Sequence, residues 1–257
     1  MVEQEKLRRD SGSEPPVLPL LLLLGRPAAG KSEIIHYIRG MNPVRRRLRL
    51  RLGEPRVIDD FPMLWAWFEE DRLLEGMGEQ RLHTDHQGFF RKPSYWHLLI
   101  RRLELEYRKL CAETAGRRGP SVGRHTAIVE FSRGAEHGGY REALEQFSDE
   151  FLATAAVLYV DVSFEESRRK NRRRYNPDKP HSILEHSLPD DKLEKLYRNC
   201  DWDDLSRPDP RCITVRGFPI PYVVFSNHDD VTTRGGRALG KRLAESLGAL
   251  RQRMSAA

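Results

Sequence analysis

The chain has 257 residues, with 44 Lys and Arg against 38 Asp and Glu, so its formal net charge is +6. Hydrophobic residues make up 39% of the sequence, which is enough for a folded core and argues against a wholly disordered chain. The three cysteines form no C-x-x-C pair, which argues against a disulfide scaffold or a cysteine-rich zinc site and predicts reduced thiols in a cytoplasmic protein. The positive charge suits phosphorylated small molecules, and it would also suit nucleic acid.

The longest apolar run extends from residue 17 to residue 24 and is too short for a membrane span of about 20 residues. Basic residues precede it, as in a secretory signal, but glutamates and prolines interrupt the basic segment, so we favour a buried strand. Residues 1–16 are rich in Glu, Arg, Ser, Gly and Pro and predict a flexible tail. We expect residues 17–257 to form one domain that has no membrane partner.

The first elements follow from hydrophobic periodicity. The continuous apolar run 17–24 predicts a strand that is buried on both faces of a parallel sheet. Isoleucines at helical spacing predict a helix over 31–39. Strict alternation of arginine and leucine over 47–52 predicts a half-buried or edge strand. Residues 57–58 predict a short strand that ends before two aspartates.

The later elements alternate between strands and helices, which favours an α/β fold with a parallel sheet flanked by helices on both faces. Further strands are predicted over 126–131, 155–162 and 220–225, and further helices from 94 to about 111 and over 140–151, 163–174, 191–198 and 232–254. Two stretches fit the alternation poorly: a helical acceptor-side insertion at about 62–112 and a lid-like insertion at about 168–211. Both are expected at the carboxyl edge of the strands, where open α/β sheets bind ligands.

One segment matches the phosphate-binding pattern G-x-x-x-x-G-K-[ST] and lies between a predicted strand and a predicted helix. It consists of Gly25, Arg26, Pro27, Ala28, Ala29, Gly30, Lys31 and Ser32. The two glycines let the backbone turn sharply, so that peptide N–H groups converge on one anion beside the positive end of the helix. Lys31 is predicted to reach the β- and γ-phosphates of ATP, and Ser32 to offer its hydroxyl to Mg²⁺.

This loop and its flanking elements resemble the P-loop NTPases, and the later layout resembles the nucleoside and nucleotide kinase branch of that superfamily. The layout in question is a short strand that ends in Asp59-Asp60 before a helical insertion, and an arginine-rich helix after the fourth core strand that is similar to the mobile lid of such kinases. The resemblance implies this architecture over roughly residues 17–250. The segment from Glu130 to Arg133 is also similar to the acid-and-arginine segment of nucleoside kinases.

Acidic residues follow two predicted strands at the expected ligand-binding edge. Asp59 and Asp60 are candidates to accept the proton of an acceptor hydroxyl or to hold Mg²⁺ through water, with a turn or helix cap as the structural alternative. Glu130 ends an apolar strand, where P-loop proteins commonly orient Mg²⁺ or water, and a solvated strand end is the alternative. Arg133 is a candidate clamp for a substrate anion.

The arginines of the lid-like insertion fall on more than one face of the predicted helix, because residues four apart share a face. One face is predicted to close over the triphosphate and the other to be solvated. Arg172 is the catalytic candidate from this helix, and Arg168 is the nucleotide-binding candidate.

Three weaker patterns complete the survey. The loop 227–230 follows the last predicted strand and, by the resemblance, lies near the nucleotide base, with a simple turn as the alternative. Aromatic residues crowd the first insertion, where they predict either its own small core or a stacking surface for a planar acceptor. His83, Asp85 and His86 lack the spacing of a complete metal-ligand set.

These observations predict an ATP- and Mg²⁺-dependent kinase that acts on a small hydroxyl- or phosphate-bearing acceptor, such as a nucleoside or nucleotide. Two other functions stay open. One is a nucleic-acid-linked ATPase or polynucleotide kinase, which the positive charge motivates. The other is a regulator that binds nucleotide without turnover.

Overall fold

The structure is a computed structural model that describes residues 16–115, 125–174 and 188–256. The predicted tail at 1–16 therefore lies almost wholly outside the described residues, as does the middle of the predicted lid-like insertion. Within the described ranges, no helix combines the length and the apolar character that crossing a bilayer requires. The three cysteines are free thiols.

Six strands form one sheet in the order β2-β3-β1-β4-β6-β5. The first five in this order pair in parallel, and β5 pairs antiparallel with β6 at one edge. The strands are β1 (Leu20–Gly25), β2 (Glu54–Asp59), β3 (His125–Phe131), β4 (Ala155–Asp161), β5 (Cys212–Val215) and β6 (Phe218–Ser226). The predicted parallel α/β sheet is confirmed.

Eleven α-helices connect and cover these strands in the described ranges. They are α1 (Lys31–Gly40), α2 (Pro43–Leu50), α3 (Phe61–Gly76), α4 (Ser94–Ala115), α5 (Gly139–Glu145), α6 (Asp149–Thr154), α7 (Phe164–Arg174), α8 (Asp190–Tyr197), α9 (Trp202–Ser206), α10 (Val231–Arg234) and α11 (Gly236–Ala256). Helices α3 and α4 lie in the segment predicted as the acceptor-side insertion. Helix α7 contains the start of the segment predicted as the lid-like insertion, and α8 and α9 follow it.

The leucines of β1 explain why its sequence is apolar without interruption. Alternate side chains of a strand point to opposite faces of the sheet. Leu20, Leu22 and Leu24 pack on one face with a core that includes Phe147, whereas the leucines between them pack on the other face with a core that includes Leu243. Both faces of the central strand are therefore buried, as a doubly covered parallel sheet requires.

The predicted edge strand over 47–52 is wrong, because most of this segment belongs to helix α2. The side chain of Asn42 accepts hydrogen bonds from the backbone N–H groups of Val44 and Arg45, and Pro43 occupies the first turn, so the helix start is strongly specified. Arg46 and Leu50, one helical turn apart, are buried. The Arg46 guanidinium donates to three backbone carbonyl oxygens, including that of Gly53.

Several predicted elements are divided in the structure. The predicted strand at 220–225 is the second half of a hairpin, whose turn has positive φ angles at Arg216 (48°) and Gly217 (86°). The predicted helix at 140–151 ends at Glu145, and a new helix begins after Ser148, whose side chain accepts a hydrogen bond from the N–H of Phe151. The predicted closing helix is likewise preceded by the short helix α10.

Candidate active site

The phosphate-binding loop runs from the end of β1 to the start of α1 at the carboxyl edge of the sheet. Its backbone has positive φ at Gly25 (152°), Ala28 (54°) and Gly30 (110°). A Cβ atom on Gly25 would lie 2.6 Å from the carbonyl oxygen of Val160 in β4, so this position requires glycine. The loop therefore lies between the central strand of a parallel sheet and the helix that follows it, which is the structural context that the G-x-x-x-x-G-K-[ST] pattern requires.

The loop after β6 holds the phosphate-binding loop in place through hydrogen bonds of a buried asparagine. Asn227 is fully buried, and its amide donates to the carbonyl oxygen of Ala29 at 2.8 Å and to the Thr232 hydroxyl at 2.7 Å. Its side-chain oxygen accepts from the N–H of Thr232 at 3.2 Å. A Cβ atom on Gly30 would collide with these two side chains, so the second glycine of the motif makes room for this clamp. The predicted contact of this loop with a nucleotide base stays a prediction.

Lys31 is 5% exposed and its ammonium faces the turn that precedes it. Nζ donates to the carbonyl oxygens of Gly25 and Arg26, both at 3.0 Å, and to the Ser132 hydroxyl at 2.8 Å. It also lies 3.9 Å from Oε1 of Glu130. Burial lowers the pKa of Lys31, although the charges of Glu130 and Asp59 oppose this shift. The ammonium is thus a buried cation with three neutral hydrogen-bond acceptors and one carboxylate at ion-pair distance.

Asp59 and Glu130 are paired neighbours at the ends of β2 and β3. Burial, with the nearby charges of Glu130 and Asp60, raises the pKa of Asp59 to about 7. Burial also raises the pKa of Glu130, against the opposing charge of Lys31. Carboxylates at adjacent strand ends therefore hold protons more tightly than usual, which is a common property of groups that transfer protons near neutral pH.

Asp60 and Arg133 form a buried ion pair beside these carboxylates. Arg133 is 2% exposed, and its Nη1 donates to Oδ2 of Asp60 at 2.7 Å and to the carbonyl oxygen of Ser132 at 2.6 Å. Nε and Nη2 are buried and have no hydrogen-bond partner among the described residues. The guanidinium carbon lies 5.2 Å from the ring centroid of Trp96 and 5.3 Å from that of Phe131. Arg133 is therefore held in place while two of its three guanidinium nitrogens have no hydrogen-bond partner among the described residues.

Helix α7 brings a different set of basic residues to the site than the two that the sequence suggested. Lys170, Arg173 and Arg174 line the same cavity as the phosphate-binding loop, whereas Arg168 and Arg172 are not among its lining residues. Arg172 is exposed and forms an ion pair with Asp190 at the start of α8. Arg168 lies 5.8 Å from the ring centroid of Phe164. Neither of these two side chains reaches the cavity in this conformation.

One cavity of about 400 Å³ joins these groups. Its lining includes the P-loop residues Pro27, Ala28, Ala29, Gly30, Lys31 and Ser32, the acids Asp59, Asp60 and Glu130, and the aromatic side chains Trp65, Phe68 and Trp96. Residues that are distant in sequence but share the carboxyl edge of the sheet thus meet at one site, as expected for open α/β sheets.

The donor set fits a Mg²⁺ ion that is shared with a polyphosphate. In the described ranges, no group of three or more His, Cys, Asp and Glu side chains could hold a metal by itself. Mg²⁺ usually keeps several waters and takes one or two protein ligands beside the substrate phosphates. Ser32, which is exposed at the first turn of α1, lines the cavity together with Glu130 and Asp59, and these three side chains are such a partial set.

Most of the crowded aromatic residues of the first insertion form its own small core. Trp67 stacks on His83 at 5.1 Å between ring centroids and contacts Phe90 and Tyr95 edge-on. The buried Asp71 carboxylate accepts hydrogen bonds from the backbone N–H groups of residues 82, 83 and 84, which fixes the link between α3 and α4. His83 and His86 contact glutamates rather than a metal cluster.

Several residues of the site have no sequence signal that would have identified them. Asn227 was part of a loop predicted as a base contact, and its role as a clamp depends on the approach of β6 to the P-loop. Tyr140, whose hydroxyl accepts from the N–H of Gly25 at 3.1 Å, is 115 residues away in sequence. Lys170 was visible within the basic run, but helical periodicity alone could not select its face.

No family model matches the chain, and no curated protein matches it in sequence. Among solved structures, TT1252 from Thermus thermophilus is 15% identical, with a TM-score of 0.42 over 93% of this chain and 98% of that one. Kti12 from Chaetomium thermophilum, solved in complex with ADP-AlF3, is 14% identical, with a TM-score of 0.43 over 89% and 99%. A sugar kinase from Janibacter sp. is 14% identical, with a TM-score of 0.38 over 93% and 98%. Likeness at this level carries no argument about activity, which must rest on the site itself.

Proposed function

We propose that the chain is an ATP- and Mg²⁺-dependent phosphotransferase that moves the γ-phosphoryl group of ATP to a small acceptor. The observation that carries this proposal is the meeting of two sets of groups in one cavity. Lys31 and Ser32 come from the phosphate-binding loop, and Asp59, Glu130 and Arg133 come from the carboxyl ends of β2 and β3 or follow them directly. The two sets are in contact, since Lys31 Nζ lies 3.9 Å from Oε1 of Glu130. A binding loop alone would need no such second set of carboxylates and guanidinium.

Asp59 is the better of the two aspartates for the general base. Asp60 is engaged by Arg133 at 2.7 Å, whereas Asp59 has no ion pair with another described residue and a pKa raised to about 7 by burial and neighbouring charge. In the proposed step, the acceptor hydroxyl oxygen bonds to the γ-phosphorus while the bond to the bridging oxygen of ADP breaks, and the hydroxyl proton passes to the Asp59 carboxylate. Asp60 then positions Arg133.

Lys31 supplies positive charge where the phosphates bind. Its three hydrogen-bond partners are two carbonyl oxygens and a hydroxyl, which are neutral. Phosphate oxygens carry negative charge, so they attract the ammonium more strongly than these neutral oxygens do. The loop therefore holds the cation ready at little cost in reorganisation.

Mg²⁺ would be held by the Ser32 hydroxyl and, through water, by Glu130, and when bound it supplies neutralisation of the charge on the transferred phosphoryl group. On the other side, Arg173, Arg174 and Lys170 of α7 reach the cavity and are assigned the phosphate-facing role that the sequence suggested for Arg168 and Arg172. Their charges stabilise the transition state and help to exclude water from it.

The test is a transfer assay with radiolabelled ATP on the purified chain, with sugars, nucleosides and nucleotides as acceptors. We expect an acceptor-dependent labelled product that requires Mg²⁺ and is lost in Lys31→Ala. Lys241→Ala is the matched control, because the Lys241 side chain is 78% exposed and does not line the cavity. Failure to bind ATP, or unchanged activity in Lys31→Ala, contradicts the proposal.

A second candidate, a polynucleotide kinase, is favoured by one observation. Arg45 and Arg49 are exposed on α2 and form no ion pair with another described residue. Binding to single-stranded DNA that weakens steeply with salt, together with labelling of a 5′-hydroxyl oligonucleotide, supports this alternative. ATP binding without transfer to any acceptor supports a regulator instead.

A further inference from the structure

A second cavity of about 230 Å³ adjoins the main one on the acceptor side. We call it the outer cavity. The residues that line it include Phe68, Phe89, Phe90, Trp96, Lys192 and Lys195. Phe68 and Trp96 also line the main cavity, so the two spaces share a wall and lie next to each other. An acceptor with its hydroxyl at Asp59 can therefore extend past Trp96 into the outer cavity.

Aromatic side chains form part of the wall of the outer cavity. Trp96 packs edge-on against Phe90, with ring centroids 4.6 Å apart. The guanidinium carbon of Arg133 lies 5.2 Å from the ring centroid of Trp96 and helps to hold this ring in place. The shared wall is thus a rigid aromatic surface suited to a planar group.

Two basic side chains also line the outer cavity. Lys195 lies 4.0 Å and Lys192 5.4 Å from the ring centroid of Phe89, and neither ammonium has an ion pair with another described residue. Glu136 is the only acidic side chain among the residues that line this cavity. Two lysines three residues apart on α8, without a carboxylate partner, leave the cavity with a net positive charge.

We infer that the acceptor is a hydroxyl compound with an aromatic body and an acidic group at its far end. The inference rests on the proposed function, since it places the hydroxyl at Asp59. The aromatic body lies against Trp96 and Phe90, and the acidic group, a carboxylate or a phosphate, lies between Lys192 and Lys195. Phosphoryl transfer then occurs at the end of the molecule that lies away from this acid.

The test uses 6-(hydroxymethyl)naphthalene-2-carboxylate as the probe and its uncharged carboxamide as the matched compound. Both are titrated calorimetrically into the full chain without ATP. We expect the carboxylate to bind at least about fivefold more tightly, which is the effect of one favourable ion pair of moderate strength, and to lose this advantage as salt is raised. Equal affinities, or no binding of either compound, overturn the inference.

Three variants assign the effect to the outer cavity. Lys192→Gln/Lys195→Gln is expected to remove the preference for the carboxylate, Glu136→Gln to increase it, and Lys241→Gln to leave it unchanged. The double variant is also expected to bind ATP as the wild type does. Loss of the preference in Lys241→Gln, or its retention in the double variant, contradicts the assignment.

The proposed function is tested separately by Lys31→Ala, which is expected to stop transfer without changing the affinity of the probe. A probe that binds as expected but is never phosphorylated therefore contradicts the phosphotransferase assignment of this site while leaving the outer cavity as an acid-binding site. Transfer to acceptors that lack an acid, at the same kcat/KM as to matched acids, contradicts the inference and leaves the proposed function intact.

Discussion

The two sides of the cavity are built in different ways. The phosphate-binding side is a single run of eight residues whose function resides in backbone N–H groups, two glycines and one lysine. The acceptor side is assembled from β2, β3, α3 and α4, and its proposed function resides in side chains such as Asp59 and Arg133. The first side is therefore specified locally, whereas the second exists only after the sheet has brought distant residues together.

This difference predicts how each side responds to substitution. A change on the acceptor side alters the partners of a buried charge, so it affects catalysis and stability together. A change behind the phosphate-binding loop alters backbone position and should act through ATP affinity. The variants below separate these two behaviours, from the largest expected effect to the smallest.

Asp59→Asn is expected to lower kcat by about 10²–10⁴-fold, the usual contribution of a general base. In the wild type, kcat/KM should rise with pH through an inflection near 7, because burial raises the pKa of Asp59 to about 7. The measurement is a pH–rate profile of both proteins. A profile that is flat between pH 6 and 8 in the wild type would rule out Asp59 as the base.

Asp59→Asn is expected to lower activity but to raise the stability of the fold above neutral pH. The native carboxyl binds its proton more tightly than the unfolded one, so stability falls as pH rises from the ordinary Asp value toward 7. Asn removes this penalty, and Asp59→Asn should be at least about 1 kcal/mol more stable than the wild type at pH 8, or about 2–4 °C in Tm. The advantage should disappear below pH 4.

Arg133→Met is expected to destabilise the fold by about 3–5 kcal/mol, because it leaves the Asp60 carboxylate buried and unpaired. Because Arg133 is proposed to bind the acceptor, Arg133→Met should also raise the KM for the acceptor. The double variant Asp60→Asn/Arg133→Met should recover much of the lost stability, but its KM for the acceptor should stay raised. Denaturant unfolding and acceptor titration measure the two effects. Additive losses in the double variant would show that the two side chains do not act as a pair.

Asn227→Ala is expected to lose about 1–3 kcal/mol of stability, since Thr232 and the carbonyl of Ala29 lose a buried partner. ATP affinity should fall with it, whereas acceptor affinity should not change. Calorimetric titration with each ligand gives the comparison. Weaker acceptor binding with normal ATP binding would contradict the separation of the two sides.

Arg174→Gln and Arg172→Gln test which face of α7 serves the site. The first should reduce kcat about tenfold, because Arg174 lines the cavity, and the second should change it less than about twofold, because Arg172 is an exposed partner of Asp190. Steady-state kinetics of the two variants are sufficient. A larger loss of kcat in Arg172→Gln than in Arg174→Gln would favour a conformation in which α7 is rotated so that Arg172 faces the cavity.

The sequence predicts the phosphate-binding side of the cavity better than the acceptor side. The apolar run of β1, the glycines at 25 and 30 and the lysine at 31 carry local signals, and the strand, loop and helix they predict are present. Asp59, Glu130 and Arg133 were predicted as individual candidates, but their mutual contacts depend on strand register. The segment 47–52 was predicted wrongly as a strand because arginine and leucine alternate along it. Most of it instead continues a helix that Asn42 and Pro43 initiate.

The short loop 227–230 has a consequence for how the two sides move. Asn227 at its first position holds the P-loop, and Asp230 at its last position accepts ion pairs from Lys170 at 2.5 Å and Arg169 at 3.3 Å on α7. One loop of four residues therefore contacts both the phosphate-binding loop and the basic helix α7. We expect a displacement of either element to be transmitted to the other through these contacts, so that nucleotide binding shifts the position of α7.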